Sequence, residues 1–379
     1  MKFFIFVCAG LTDEPVEDLG GRTPFEVAKT PVMDELAKKG RVESVSFVPS
    51  NLEPLAEVAV LSLLGYDPQQ FYTGLAPLEA PAFGIRQDDR EVIFRADLTT
   101  ASDGVMVDRT SGGISDREAD ILITGLSTAF ADQSFRFCRG RGYKNYLLVR
   151  DEKLLEDLDE LDCVSPSFFL GQKISKFLPK GRGNGSVVEL MKKADTYLEN
   201  QEINRVRIDL GENPANGLWL WGQGKKPRLQ SFEKQHGLSG AFFADADFIK
   251  GLAEHIGLLR VKDPTKLPTQ SEVVFFYYGS LEAAAASGLK QKIKKIEDFD
   301  VFVGTVLKSH SHEPSLRVCV CGDVSESLSR KTATRNPTIA LIAGEGIAAD
   351  KNLSFDEKTC GLSSLADRSD GFLSSFLKS

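Results

Sequence analysis

Residues 2–48 read KFFIFVCAGLTDEPVEDLGGRTPFEVAKTPVMDELAKKGRVESVSFV, and the order of patterns within them sets the fold class. KFFIFVC is a continuous apolar run, the texture of a strand buried on both faces. Residues 28–39, with Thr30-Pro31 supplying a cap and a first-turn proline, predict a helix that ends at Gly40. A strand over 41–48 follows, and NLEPLAEVAVLSLLGYDP at 51–68 then predicts a short helix over 58–64, stopped by Gly65. Strand, helix, strand, helix is the rhythm of an α/β fold built on a largely parallel sheet sandwiched by helices.

From about Arg90 the texture changes. EVIFRADLTT and GVMVDRT read as strands, 116–129 as a helix, and FRFCRGRGYKNYLLVR as a further β pair, followed by the charged link DEKLLEDLDELD and a Gly-rich loop at 171–185. Residues 89–186 therefore read as an α+β cap domain inserted into a discontinuous domain of residues 1–88 and 187–379. The first rhythm resumes with helices over 186–200, 247–256 and 289–308 and strands over 218–221, 272–278, 316–322 and 338–342. Ile293, Ile296, Phe299 and Phe302 share one face of helix 289–308, the mark of a core stripe.

A chain of 379 residues buries a large core and is long for one compact unit. The net charge of −8 lacks the footprint of a nucleic-acid binder, and no apolar run approaches the ~18 residues of a membrane span. MKFFIFVCAG is too short an apolar run for a signal peptide and reads as the first strand. Six cysteines scattered through such a chain point to reduced thiols and a cytoplasmic location. Cys319 and Cys321 share one face of a strand, a candidate metal pair without a second pair nearby. His310 and His312 fall in an expected loop, either solvated or holding an adventitious metal. The arginine and glycine stretches at 135–144 and 178–185 either hold an anion or form solvated basic loops.

Several stretches, taken in order, carry a resemblance: LGGRTPFEVAKTPVMDELAKKGR at 19–41, LSLLGYDPQQFYTGLAPLEA at 61–80, DGVMVDRTSGGIS at 103–115 and NPANGLWLWGQGKKPRLQSFEKQHGLSGAFFADADFIKGLAEHIGL at 213–258. They resemble the archaeal-type cofactor-independent phosphoglycerate mutases of the alkaline phosphatase superfamily. The resemblance implies an alkaline-phosphatase-like α/β domain interrupted by a cap. It also implies a serine that is transiently phosphorylated between two divalent metals (Mn, Zn, Mg or Co) held by aspartates and histidines.

Carried over residue by residue, that machinery is largely missing. The family's Gly-Asp-Gly, whose aspartate binds metal, matches Cys8-Ala9-Gly10; its Pro-Gly-Ser-Asp-Val-Ala-Asn, with the nucleophile, matches residues 54–60 and puts Ala56 and Val60 where the serine and asparagine stand. Its Asp-x-x-x-His pair falls on Leu281 and Ala285, its Asp-His pair on Asp323 and Val324, and its last histidine on Ala333. Only Asp323 keeps the family residue. In the cap, Ser111-Gly112-Gly113-Ile114 and residues 166–171 have likewise lost polar groups. Loss of a nucleophile alone costs roughly 10⁶ in rate in other hydrolases, and one carboxylate does not hold two metals.

The expected function is therefore a catalytically inactive paralogue with a binding or assembly role and no expected cofactor. Its expected partner is a small phosphorylated or carboxylate ligand, an active homologue, or a second copy in a homo-oligomer. Anion contacts are expected from Arg136, Arg139, Arg141 and Arg182 in the cap, faced by Arg205 and Arg207. The alternative is an active mutase converting 3-phosphoglycerate to 2-phosphoglycerate, or a related phosphoryl-transfer enzyme, with ligands drawn from Asp13, Glu57, Asp67, Glu79 and Asp323.

Overall fold

The computed structural model describes residues 1–130, 134–150, 155–279, 288–350, 354–361 and 371–378. The chain divides into two units, Met1–Tyr72 with Leu229–Ser379, and Thr73–Arg228.

The first unit is built on a seven-stranded sheet. In chain order its strands are β1 (Lys2–Cys8), β2 (Gly40–Val45), β8 (Gly240–Ala244), β9 (Leu259–Arg260), β10 (Val273–Tyr278), β11 (Leu316–Gly322) and β14 (Thr338–Gly344). Their spatial order is β2-β14-β11-β1-β10-β8-β9. The β1, β10, β11, β8 and β9 pairings are parallel, while β14 runs antiparallel to both β11 and β2. β1 is central, which is why it is apolar after Lys2: Phe3 to Cys8 are all buried. Phe6 stacks on Phe276 of the neighbouring strand with ring centroids 4.6 Å apart. Against this sheet pack the helices α1 (Pro31–Ala37), α6 (Asp247–Ile256) and α7 (Leu289–Ser309), while α2 (Ala56–Leu63) is buried along its whole length. On α7, Ile296 and Phe299 are core and Phe302 packs against them, whereas Ile293 is only half-buried.

The expected helix over 28–39 is shorter, Pro31–Ala37, and a separate short helix, Pro24–Val27, precedes it. Thr30 lies before Pro31, which disfavours helical backbone there, and its side chain makes no capping bond. The cap comes from α7 instead: both oxygens of Asp300 accept from the α1 backbone, Met33 N at 2.8 Å and Val32 N at 3.2 Å.

The second unit is wider than the expected 89–186. Its sheet joins β3 (Val92–Ser102), β4 (Val105–Asp108), β5 (Phe135–Arg141), β6 (Lys144–Val149) and β7 (Gly217–Gly224), with every pairing antiparallel. β7, expected in the first domain, belongs here because it pairs with β3 and buries Leu218, Trp219 and Leu220. The helices α3 (Asp116–Ala129) and α4 (Asn184–Glu199) share its core, through Leu122 and Leu126 on one and Leu190 and Leu198 on the other; α5 (Glu202–Asp209) follows α4. Inside the sheet, buried Arg95 is held by Glu79 at 2.6 Å and Asp97 at 2.7 Å. No helix of the described residues is long and apolar enough to cross a membrane.

Candidate functional site

Three adjacent parallel strands end at one level: Cys8 of β1 is in register with Tyr278 of β10 and with Gly322 of β11. The carboxyl ends of such strands are where α/β sheets present their chemistry. Here they bring together Ala9, Gly10, Gly279 and Asp323. Asp323 is buried, and its carboxylate is fully engaged: Oδ1 accepts from Gly10 N at 2.8 Å and Val324 N at 2.7 Å, and Oδ2 from the Tyr277 hydroxyl at 2.8 Å. Burial raises its pKa above the usual carboxylate range, against those hydrogen bonds and the nearby Lys295 charge.

Gly10 is in the left-handed region at φ 59°, and a Cβ there would collide with the Glu326 carboxylate. Glu326 sits on β12 (Ser325–Ser327), paired antiparallel with β13 (Thr332–Thr334), where Ala333 is its direct partner. Burial and then the charge of Asp323 raise the Glu326 pKa, with Lys295 and Lys292 opposing. α2 also reaches this cluster: Glu57, in its first turn, is buried, accepts from the Tyr72 hydroxyl at 3.0 Å and adds to the rise in the Tyr277 pKa.

Two lysines of α7 complete the cluster. Lys292 Nζ donates to Asp13 Oδ2 at 2.7 Å, Glu326 O at 3.0 Å and Thr12 O at 3.3 Å. Lys295 Nζ donates to the Ala9 carbonyl. It also borders an open cavity of about 400 Å³ lined by Tyr278, Lys290, Gln291, Lys294 and Asp298. Cys8, beneath them, is pushed up by burial to about 11 and is not a nucleophile at neutral pH.

Among the positions where the family's machinery would stand, Ala9, Ala56, Val60 and Val324 are buried, and Ala333 is half-buried; Leu281 and Ala285 lie outside the described residues. Ala56 is the first residue of α2, and its methyl side chain offers no oxygen there. Of the nominated carboxylates, Asp13, Glu57 and Asp323 belong to the cluster. Asp67 instead caps the short helix Pro68–Phe71, and Glu79 is committed to Arg95 in the second unit. Among the described residues no three His, Cys, Asp or Glu side chains are grouped to hold a metal. A two-metal centre therefore does not fit the described cluster: the Asp323 carboxylate already has three hydrogen-bond donors.

The arginines do not converge. Arg136 pairs with Glu91 at 3.3 Å, Arg139 with Asp120 at 2.9 Å, and Arg182 with Asp157 at 3.5 Å. Arg141 closes β5, and Arg205 is exposed on α5. Arg207 is a structural clasp rather than a ligand contact, buried and bonded to Ser111 O, Asn213 O and Glu118. The 135–144 stretch is a hairpin rather than an anion-cradling loop. His310, expected in a loop, is buried, with Nδ1 2.9 Å from Val306 O and its ring edge-on to Phe4.

Sequence reasoning missed Lys292, Lys295, Glu326 and Tyr277 as site residues. A signal existed for one: Lys292 continues the buried stripe Ile296, Phe299, Val303 at helical spacing, where a solvated lysine has no place.

A central, mostly parallel sheet flanked by helices, with a second unit inserted in the chain, is the fold of cofactor-independent phosphoglycerate mutases. A Pyrococcus horikoshii protein matches it at TM-score 0.76 with 23% identity, over 95% of this chain and 91% of that one. The cofactor-independent phosphoglycerate mutase of Thermoplasma acidophilum matches at TM-score 0.60 with 23% identity, over 100% and 99%. The family profile for 2,3-bisphosphoglycerate-independent phosphoglycerate mutase matches residues 37–204. Among relatives with that name, one from Methanosarcina mazei is 33% identical over 95% of both chains. A probable one from Geobacter sulfurreducens is 33% identical over 98% of both. The chain belongs to the 2,3-bisphosphoglycerate-independent phosphoglycerate mutase family.

Proposed function

We propose that this chain is a family member that has given up metal-dependent phosphoryl transfer and keeps a binding or assembly role. The observation that carries the reading is the state of Asp323: three donors already occupy its oxygens, and an ammonium group bonds the carbonyl of the adjoining strand end. A divalent ion would have to displace these partners and would find alanine or valine at the neighbouring family positions. Ala56 supports the same reading, since no hydroxyl stands at the start of α2 to accept a phosphoryl group. The lysine-lined cavity beside Lys295 is the candidate site for a small phosphorylated or carboxylate ligand.

The competing reading, an active mutase, draws on the near-full-length similarity to relatives that carry that name. One experiment decides between them. Protein purified without chelators is offered manganese, zinc, magnesium and cobalt, its metal content is measured, and the same sample is assayed for interconversion of 3- and 2-phosphoglycerate. No bound metal and no turnover are expected; near-stoichiometric metal with turnover would establish the active enzyme.

A further inference from the structure

We infer that Lys292 and Lys295 are built-in cations, fixed ammonium groups that offset carboxylates at the strand ends in place of a bound ion. This rests on the reading of a lost metal centre and says what replaced it.

Asp13, Asp323 and Glu326 lie close together around the end of β1, and three carboxylates there need compensation. Lys292 and Lys295 are three residues apart, so they project from one side of α7. The Lys292–Asp13 pair is sealed, its side chains 4% and 1% exposed, and each ammonium proton has an acceptor. Lys295 lies in a slot between strand ends: a Cβ at Gly279 would come within 2.9 Å of its Cε and 3.0 Å of its Nζ. Its acceptor, the Ala9 carbonyl, immediately precedes the Gly10 backbone that binds Asp323 and abuts Glu326. The lysine is thus held where its charge reaches both carboxylates at once. The two ammonium groups offset two of these three carboxylates.

The test is thermal melting with and without millimolar Mn²⁺. Wild type is expected to ignore the ion. Lys295→Met is expected to melt at least about 6 °C lower, with half or more of that loss recovered by Mn²⁺; Lys295→Arg, which keeps the charge, stays within about 2 °C of wild type. The exposed Lys308 on the same helix supplies the control, Lys308→Met, with no loss and no ion response. If Lys295→Met does not fold, the double variant Lys295→Met/Glu326→Gln is expected to fold, because it removes both members of the balance. A loss of stability that neither Mn²⁺ nor Glu326→Gln repairs would overturn the inference and leave Lys295 a packing residue. Stoichiometric Mn²⁺ uptake by wild type would instead sink the reading of a lost metal centre.

Discussion

Lys292 shows most sharply what the cluster costs and what it returns. A buried ammonium is tolerable only with all its partners present, and here Asp13 and two carbonyls provide them. Truncation to Lys292→Met strands Asp13, and the expected loss is about 3–5 kcal/mol, read from urea denaturation. Removing the partner as well, in Lys292→Met/Asp13→Leu, is expected to recover part of it. Ala56 gives a prediction of the opposite kind. Ala56→Ser puts a hydroxyl at the start of α2, and on the proposed loss of the metal centre neither a phosphorylated protein nor mutase turnover is expected; phosphate incorporation at the introduced hydroxyl in the presence of manganese would show that a metal site survives.

At the scale of elements, the caps come from tertiary structure. α1 relies on Asp300 of α7 because Thr30 makes no capping bond. Asp300→Ala is therefore expected to cost about 1–2 kcal/mol, the value of a helix cap, while Thr30→Ala costs little; denaturation midpoints of the two variants check this. Much of the first unit was legible in its residues, because apolar runs such as KFFIFVC and the spacing of Ile296 and Phe299 read as one buried strand and one core face. Helix 116–129 and strand 316–322 appear with the expected bounds. The limits of the inserted unit were not legible. β7 looks like any other strand, and only its pairing with β3, more than a hundred residues earlier, assigns it. That Ala9, Ala56 and Val324 bring no polar side chain to the strand ends and the start of α2 could be read from single positions. What replaced them could not, since Glu326 and Lys295 meet only through folding.

At the scale of the whole molecule, a buried carboxyl group in each unit is pushed towards neutrality. Burial pushes Asp195, which accepts from Leu218 N, up to about 7. Burial likewise raises Glu357 to about 7, although it accepts from Thr23 Oγ1 and Asp13 N. A carboxyl whose folded pKa lies above its unfolded value binds the proton more tightly when folded. Its stabilising effect is present at acid pH and is lost as pH rises from about 4 to about 7. Asp195→Asn and Glu357→Gln are each expected to gain on wild type by roughly 3 kcal/mol between pH 4 and pH 8. Melting curves across that range check the sign: a difference independent of pH would show that neither carboxyl is perturbed.

The central place of β1 has a consequence for how the chain is made. The second unit, Thr73–Arg228, is one continuous stretch and has all its strands as soon as it has been synthesised. β1 is different: its two neighbours are β10 and β11, and β2 must wait for β14. At ribosomal speeds of about 5–20 residues per second, the apolar first strand spends tens of seconds without the partners that will cover it. A nascent chain halted after Arg228 should therefore hold a folded inserted unit behind a sticky, unpaired amino-terminal segment, the stage at which chaperones would have most to do.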